Sequence, residues 1–412
     1  MVSAADVAAA AERFVGVIPP SPLQRNERLS ARHDLDVWLK REDLNTVRSY
    51  KGRGALNFVS GLSDAQRTAG VVCASAGNHG QGVAFACAAL GVRSRVYLPR
   101  TTPRQKRDRV ADLGGRTVQV VVEGDTYDDA AAVAHAYAAE HGMTLIPAFD
   151  DPRTIAGQGT VIREVVQQLG RVPDAVVVPV GGGGLLAGTL TWLSQTHPAV
   201  RVVGAEPAGA ASMAFALAEG RPAPLAHVDP FVDGAAVRQV GRHTFAVVAE
   251  HRPDLVAVPE GRICVEMLDM YQADGIISEP AGALASAALR DLSLPPGATV
   301  VCVLSGGNND VSRYAEIVER ALVFEGRKHY FLVEFPQEPG ALRRFLDDIL
   351  GPDDDITLFE YVKRNNRETG PALVGIELGT PENLEPMLKR METAPHRIER
   401  VPPDSPLFTF LV

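Results

Sequence analysis

From residue 71 to about residue 160 the sequence repeats one unit: an apolar strand-like run, a glycine-bearing turn and a helix-like stretch. Val71-Val72-Cys73-Ala74 precedes Gly80 to Leu90, Ser94 to Leu98 precedes Thr102 to Leu113, Thr117 to Val121 precedes Thr126 to His141, and Thr144-Leu145-Ile146 comes last. Strands separated by helices pair in parallel, because the crossover between parallel neighbours is long enough to be a helix. A second round begins with helix Gly159 to Leu169 and continues through strand Ala175 to Pro179, helix Gly184 to Leu193, strand Val200 to Glu206 and a late strand Thr299 to Leu304. The expected class is therefore α/β, with open, mostly parallel sheets covered by helices. Upstream, residues 5 to 15 read as a helix and Pro19-Pro20-Ser21-Pro22 forces an extended segment. Val37 to Leu39 is a strand, and Gly54 to Leu62 is a helix with Lys51 near its first turn.

A chain of 412 residues, 46% of them apolar, has the material for two or three domains. The alanine-rich stretches are too short and too interrupted by charge for a membrane span. The first residues show neither a basic leader nor a sustained apolar run, so the expected compartment is the cytoplasm. A formal charge of -9 argues against a nucleic-acid partner. Cys73, Cys87, Cys264 and Cys302 are scattered without metal-ligand spacing, and are expected to be buried thiols.

Four short runs carry the chemistry. Lys51 stands between Tyr50 and Gly52 where a helix could start, and an amine so placed can capture an electrophile. Ser75-Ala76-Gly77-Asn78-His79-Gly80 directly succeeds a strand, where small residues let the backbone approach a planar ring or a carboxylate. A bare turn with a capping serine is the plainer reading of that loop. Gly181-Gly182-Gly183-Gly184-Leu185 lies between an apolar strand and a helix, so its backbone amides can converge on an anion. It lacks the spacing of a dinucleotide fingerprint and the Lys-Ser/Thr ending of a nucleotide-triphosphate loop, so a single phosphate fits better. Ser278-Glu279-Pro280-Ala281 and Leu304-Ser305-Gly306-Gly307-Asn308-Asn309 complete the set; Glu279 also reads as an acid beside a helix start.

These runs resemble the threonine dehydratases, within the wider family of tryptophan-synthase-beta-like enzymes that use pyridoxal phosphate. The family's Ser-Phe-Lys-x-Arg-Gly-Ala run is Ser49-Tyr50-Lys51-Gly52-Arg53-Gly54-Ala55 here, with tyrosine for phenylalanine. The resemblance implies two mostly parallel α/β domains, the catalytic region filling residues 1 to 325 with a smaller part at about 58 to 158. It implies that Lys51 holds the cofactor aldehyde and then takes the α-proton of the substrate. It further implies that Asn78 meets the ring hydroxyl, Gly181 to Leu185 hold the phosphate, and Ser305 faces the pyridine nitrogen. Ser75 and Glu279 join Lys51 as candidate catalytic residues. The implied reaction turns L-threonine, and possibly L-serine, into a 2-oxo acid and ammonia. Serine racemases carry a second serine after the first in the asparagine loop; Ala76 stands there and has no exchangeable proton, which disfavours racemisation. Glu206, Ala210 and Ser212 fall where some relatives bind a divalent ion, but serine replaces an aspartate, so no metal requirement is expected. The nearest alternative is a serine or threonine dehydratase of amino-acid breakdown. Others are a synthase that adds a nucleophile such as a thiol to the same intermediate, and a non-catalytic amino-acid sensor.

After about residue 323 the character changes. Glu325-Gly326-Arg327-Lys328 reads as a solvated linker, leading into strand His329 to Phe335, helix Leu342 to Leu350, strands Ile356 to Val362 and Ala372 to Leu378, helix Pro381 to Met391 and a final strand Phe408 to Val412. Phe335-Pro336-Gln337-Glu338-Pro339-Gly340-Ala341-Leu342 and Leu373-Val374-Gly375-Ile376-Glu377-Leu378 resemble the single ACT-like regulatory domain of short-form biosynthetic threonine dehydratases, here residues 326 to 412. That resemblance implies control by isoleucine, in some members valine, and a homotetramer; a purely structural appendage is the plainer alternative. Asp353-Asp354-Asp355 reads as a solvated turn rather than a metal site.

Overall fold

The computed structural model describes residues 2–362, 368–395, 397–402, 405, 407, 408 and 411. The chain divides into two compact units, Met1–Asp310 and Val311–Val412.

The first unit contains two sheets. Strands β1 (Leu23–Arg25), β2 (Asp36–Arg41), β7 (Ala175–Pro179), β8 (Arg201–Pro207), β9 (Asp254–Val258) and β10 (Thr299–Leu304) form the larger, in the order β1-β2-β10-β7-β8-β9. Only β1 runs antiparallel, and β10 is gripped on both sides, with Val301 opposite Trp38 and Val176. Every residue of β7 and β10 is buried, as expected of parallel strands covered on both faces. Strands β3 (Val71–Ala74), β4 (Ser94–Leu98), β5 (Val118–Val122) and β6 (Thr144–Leu145) form the smaller sheet, all parallel, in the order β5-β4-β3-β6. Separate clusters fill the two cores: Ile162, Leu186 and Val303 lie in one, Leu56, Val83 and Val96 in the other. All four cysteines are free and buried.

Helix boundaries are set by their caps. Thr126 and Asp129 form a reciprocal capping box that starts helix Tyr127–His141, and left-handed Gly142 ends it. The helix expected to begin at Gly159 begins seven residues earlier by number, as Pro152–Leu169: Asp151 caps it and Pro152 occupies its first turn. Apolar periodicity missed that start because Thr154, Gly157 and Gln158 are buried polar or small residues. Between residues 206 and 299 the sequence reading also missed β9 and the helices Ser212–Glu219, Arg242–His251 and Glu260–Gln272.

In the second unit, strands β11 (Lys328–Pro336), β12 (Asp355–Tyr361), β13 (Thr369–Glu377) and β14 (Arg397–Val401) form an antiparallel sheet in the order β12-β13-β11-β14. Helices Ala341–Ile349 and Leu384–Thr393 contribute Phe345 and Met387 to a core with Phe331, Phe335 and Ile376. The edge strand is Arg397–Val401, with Val401 opposite Tyr330, rather than the expected 408–412. Residues 409, 410 and 412 of that expected strand lie outside the described residues, and Phe408 and Leu411 are not in a strand. Lys328 corrects the linker reading: it opens β11, is buried, and its Nζ lies 2.5 Å from Glu319 Oε2. Asp354 does serve a turn, accepting hydrogen bonds from the Gly351 amide (2.8 Å) and Asn383 Nδ2 (3.3 Å).

Candidate active site

A cavity of about 850 Å³ opens in the first unit, walled by segments that leave the carboxyl ends of β3, β6, β7 and β10 together with the start of helix Lys51–Ser60. This is where open parallel sheets bind ligands. Lys51, Ser75, Asn78, Gly181, Gly182, Gly184 and Glu279 line it, as does Ala76. Gly183, Leu185 and Ser305 do not reach the lining. Gly183 turns the backbone at φ +89° immediately before helix Gly184–Thr196, Leu185 packs its side chain into the large core, and Ser305 is buried with its hydroxyl donating to the Ala281 carbonyl (3.1 Å).

Lys51 is the first residue of its helix, Lys51–Ser60, which begins three residues before the Gly54 that the apolar pattern indicated. The end of strand β10 fixes that start: the Tyr50 amide donates to the Ser305 carbonyl (3.1 Å), and the Gly307 amide to the Arg48 carbonyl (2.9 Å). Lys51 Nζ projects into the cavity, 3.3 Å from the Ala148 carbonyl. Two residues on, Arg53 is fully buried and forks onto Glu42 (2.9 Å) and Glu164 (2.5 Å), tying the helix to the segment after β2 and to helix Pro152–Leu169.

The asparagine loop is wired to Glu279. Asn78 Nδ2 donates to Glu279 Oε1 (2.7 Å), the Asn308 amide donates to Oε2 (3.2 Å), and Asn308 Nδ2 donates to Asn78 Oδ1 (2.6 Å). Burial, then the neighbouring Asp233 carboxylate, push the Glu279 carboxyl up to about 7, against the pull of those hydrogen bonds. His79, buried behind the loop with Nε2 2.9 Å from the Ile146 carbonyl, is pushed down to about 4 by burial and by Lys51, so it is neutral and holds the loop in place. The sequence alone assigned Asn308 no role; its position after Gly306 and Gly307, just beyond β10, was the available signal.

The glycine run is held from behind. Thr244 Oγ1 donates to the Gly182 carbonyl (2.7 Å), and Asp150 accepts from the first two amides of helix Arg242–His251 at 2.8 and 2.7 Å. A Cβ on Gly182 would lie 2.3 Å from the Phe149 ring, so no other residue lets the strand-to-helix turn pass under that ring. Nothing in the sequence pattern marked Phe149 or Asp150. Glu206 accepts from the Met213 (2.6 Å) and Ala214 (2.9 Å) amides, engaging both its oxygens at the start of helix Ser212–Glu219. Among the described residues no group of three His, Cys, Asp or Glu side chains is arranged to hold a metal ion.

A family model described as "Pyridoxal-phosphate dependent enzyme" matches residues 16–306, and one described as "C-terminal regulatory domain of Threonine dehydratase" matches residues 319–411. Over 413 aligned residues the chain is 58% identical to the L-threonine dehydratase biosynthetic IlvA of Mycobacterium bovis, covering all of this chain and 96% of the relative. This chain belongs to the pyridoxal-phosphate-dependent threonine dehydratases. The dehydratase of Corynebacterium glutamicum is 54% identical, over 100% of this chain and 95% of that one. The processed threonine deaminase isoform 2 of Solanum lycopersicum superposes with a TM-score of 0.72 at 39% identity, over 77% of this chain and 94% of that structure.

The residues present fit the family's cofactor. The glycine run opens helix Gly184–Thr196 with no side-chain cap on its first amides, which leaves them for an anion, and Lys51 presents an amine to the same cavity. Substituting Gly182→Ala therefore drives a methyl into Phe149, and overpacking of about 1–3 kcal/mol is expected to weaken pyridoxal phosphate binding by roughly one to two orders of magnitude. Titration of the apoprotein with cofactor, monitored by absorbance, measures it; an unchanged dissociation constant contradicts the cradle.

Proposed function

We propose that this protein catalyses the dehydration and deamination of L-threonine to 2-oxobutanoate and ammonia, the first step of isoleucine biosynthesis, in the cytoplasm. The observation that carries the reading is the full-length similarity to biosynthetic dehydratases in a chain whose motif lysine, asparagine loop and glycine run line one cavity. Residues 1 to 325 serve as the catalytic region, with 58 to 158 as its smaller part, and residues 326 to 412 as the regulatory domain.

When bound, pyridoxal phosphate supplies the aldehyde that takes up the substrate amine and the ring that accepts electrons from the α-carbon. Of the Gly181–Leu185 run, Gly181, Gly182 and Gly184 line the cavity and their amides would hold the cofactor's phosphate, and Lys51 would hold its aldehyde. The amides of Ala76 and Asn78 hold the substrate carboxylate and orient the α-hydrogen towards Lys51, while the Ser75 amide is engaged by the Tyr97 carbonyl (3.2 Å) and the Gly77 amide by Ser75 Oγ (3.3 Å). Lys51 Nζ removes that proton as the general base. Asn78 keeps one amide hydrogen for the ring hydroxyl while the other is engaged by Glu279, and Glu279, with its carboxyl near neutrality, holds or releases a proton at that wall of the site. Ser305, the residue expected opposite the pyridine nitrogen, is buried behind the lining with its hydroxyl donating to the Ala281 carbonyl (3.1 Å), and it would have to release that carbonyl to meet the nitrogen.

In the second unit a cavity of about 410 Å³ is lined by Phe335, Leu342, Leu346, Phe359 and Tyr361, with Glu338 and Arg343 at its edge. Apolar walls with one charge of each sign suit a branched-chain amino acid, which supports isoleucine, or valine, as the effector in a homotetramer. The test is steady-state release of 2-oxo acid from L-threonine and L-serine with isoleucine titrated in. Turnover of threonine that falls as isoleucine rises is expected. No oxo acid from threonine overturns the activity, and turnover insensitive to isoleucine favours a catabolic dehydratase.

A further inference from the structure

One ion pair crosses the mouth of the cavity. Lys106 lies on helix Arg104–Gly114, which comes after β4 of the smaller sheet; Asp233 lies in the 221–241 segment between two helices of the larger-sheet part. Both line the cavity, and Lys106 Nζ lies 3.4 Å from Asp233 Oδ2. Neither has a part in the dehydration chemistry. We propose that Lys106 and Asp233 are a closure pair: positioning residues whose attraction joins the two lobes across the substrate entrance and holds them around the bound cofactor and substrate.

Three observations support it. The pair joins elements carried by different sheets, so it breaks if the lobes separate. Lys106 is only one-quarter exposed, and partial removal from water strengthens a pair relative to a fully solvated one. Both charges also reach Glu279, Asp233 raising its carboxyl and Lys106 lowering it, so they face the interior of the site as well as the solvent. Besides Asn78 and the Asn308 amide, which hydrogen-bond it, Glu279 meets Asp233 and Lys106 as its strongest charged neighbours; the other titratable residues lining the cavity are Tyr50, Lys51, His79, Tyr127, Asp128, His227 and Arg238.

The proposal rests on the dehydratase reading of this cavity, and its test separates the two. The rate of cofactor release from the holoenzyme into excess apo-acceptor is monitored by absorbance for the wild type, Lys106→Met, Asp233→Asn and the exchange Lys106→Asp with Asp233→Lys. Each single variant is expected to release pyridoxal phosphate about two- to five-fold faster and to raise KM for threonine by a similar factor, the range of a rim ion pair. The exchange is expected to return both to within about two-fold of wild type, because it restores opposite charges at the same separation. The pH dependence of kcat/KM gives a signature that loosened packing alone would not: the limb that reports Glu279 moves to higher pH in Lys106→Met, which removes a charge that lowers the carboxyl, and to lower pH in Asp233→Asn, which removes one that raises it. Unchanged release rates in both single variants, or an exchange no better than either, or limbs that move in the same direction, overturn the closure pair. Absence of threonine turnover in the wild type overturns the dehydratase reading instead, and the release rates still decide the pair.

Discussion

Replacing Lys51 by alanine is expected to reduce threonine turnover by more than about four orders of magnitude while leaving the fold intact. Loss of a positioned general base alone costs roughly 10²- to 10⁴-fold, and Lys51 is assigned a second task in holding the cofactor aldehyde, so both losses fall on one residue. The fold should survive because the amine makes no strong structural contact: it sits 3.3 Å from the Ala148 carbonyl and 5.3 Å from the Tyr50 ring centroid. Such exposed-side contacts are worth at most about 1 kcal/mol. The measurement pairs turnover with absorbance and thermal unfolding. The visible band of a lysine-bound aldehyde should be missing from the variant supplied with pyridoxal phosphate, and its unfolding midpoint should match the wild type. Lys51→Arg should be as inactive as Lys51→Ala, because a guanidinium neither captures an aldehyde nor gives up its proton near neutrality. Turnover in Lys51→Ala within ten-fold of wild type would sink the assignment.

Much of this site could be read along the chain because its parts are contiguous runs at the ends of apolar strands. The loop after β3 and the glycines after β7 were legible for the same reason: a parallel strand buried on both faces announces itself as an unbroken apolar run, and the residues just past its carboxyl end face the ligand. The groups that stayed hidden are those whose meaning lies in their partners. Phe149 and Asp150 come after β6 in a stretch with no periodicity, yet one ring limits residue 182 to glycine and one carboxylate starts a helix more than ninety positions later. Asn308 became informative only when its amide and side chain were found bridging Glu279 and Asn78. The second unit shows the same division. Its first three strands were legible from alternation, but Arg397–Val401 was not, because only Val401 of its five residues is buried and three are charged. The apolar spacing of 408–412 looked more strand-like than the segment that pairs with β11.

Arg53→Ala is expected to cost about 3–5 kcal/mol of stability, the loss associated with orphaning a buried charge. Glu42 has no exposure and takes its hydrogen bonds from Arg53 Nε (2.9 Å), Ser21 Oγ (2.5 Å) and Asn45 Nδ2 (2.7 Å). Lys40, also fully buried, is bound to Glu164 at 2.6 Å, so it cannot swing across to replace the guanidinium without abandoning a second carboxylate. In the intact protein burial pushes the Glu42 carboxyl up, but Arg53 and Lys40 more than offset it and hold the group below its ordinary range. That contribution to stability is present above the ordinary carboxylate range and is lost as pH falls through the lowered value. Without Arg53, burial dominates and the carboxyl rises, so the variant loses most where an unfolded glutamate would be ionised. The stability gap between wild type and Arg53→Ala should therefore widen as pH increases from about 4 towards 7. Adding Glu42→Gln to Arg53→Ala should recover part of the loss and flatten that slope, because an amide left with Ser21 and Asn45 carries no charge to desolvate. Denaturant unfolding of the full chain, monitored by near-ultraviolet circular dichroism at several pH values, reads both effects. A cost below about 1 kcal/mol, or one that does not change with pH, would mean that water or another cation reaches Glu42 when Arg53 is gone, and that the helix start carrying Lys51 is held by β10 rather than by this network.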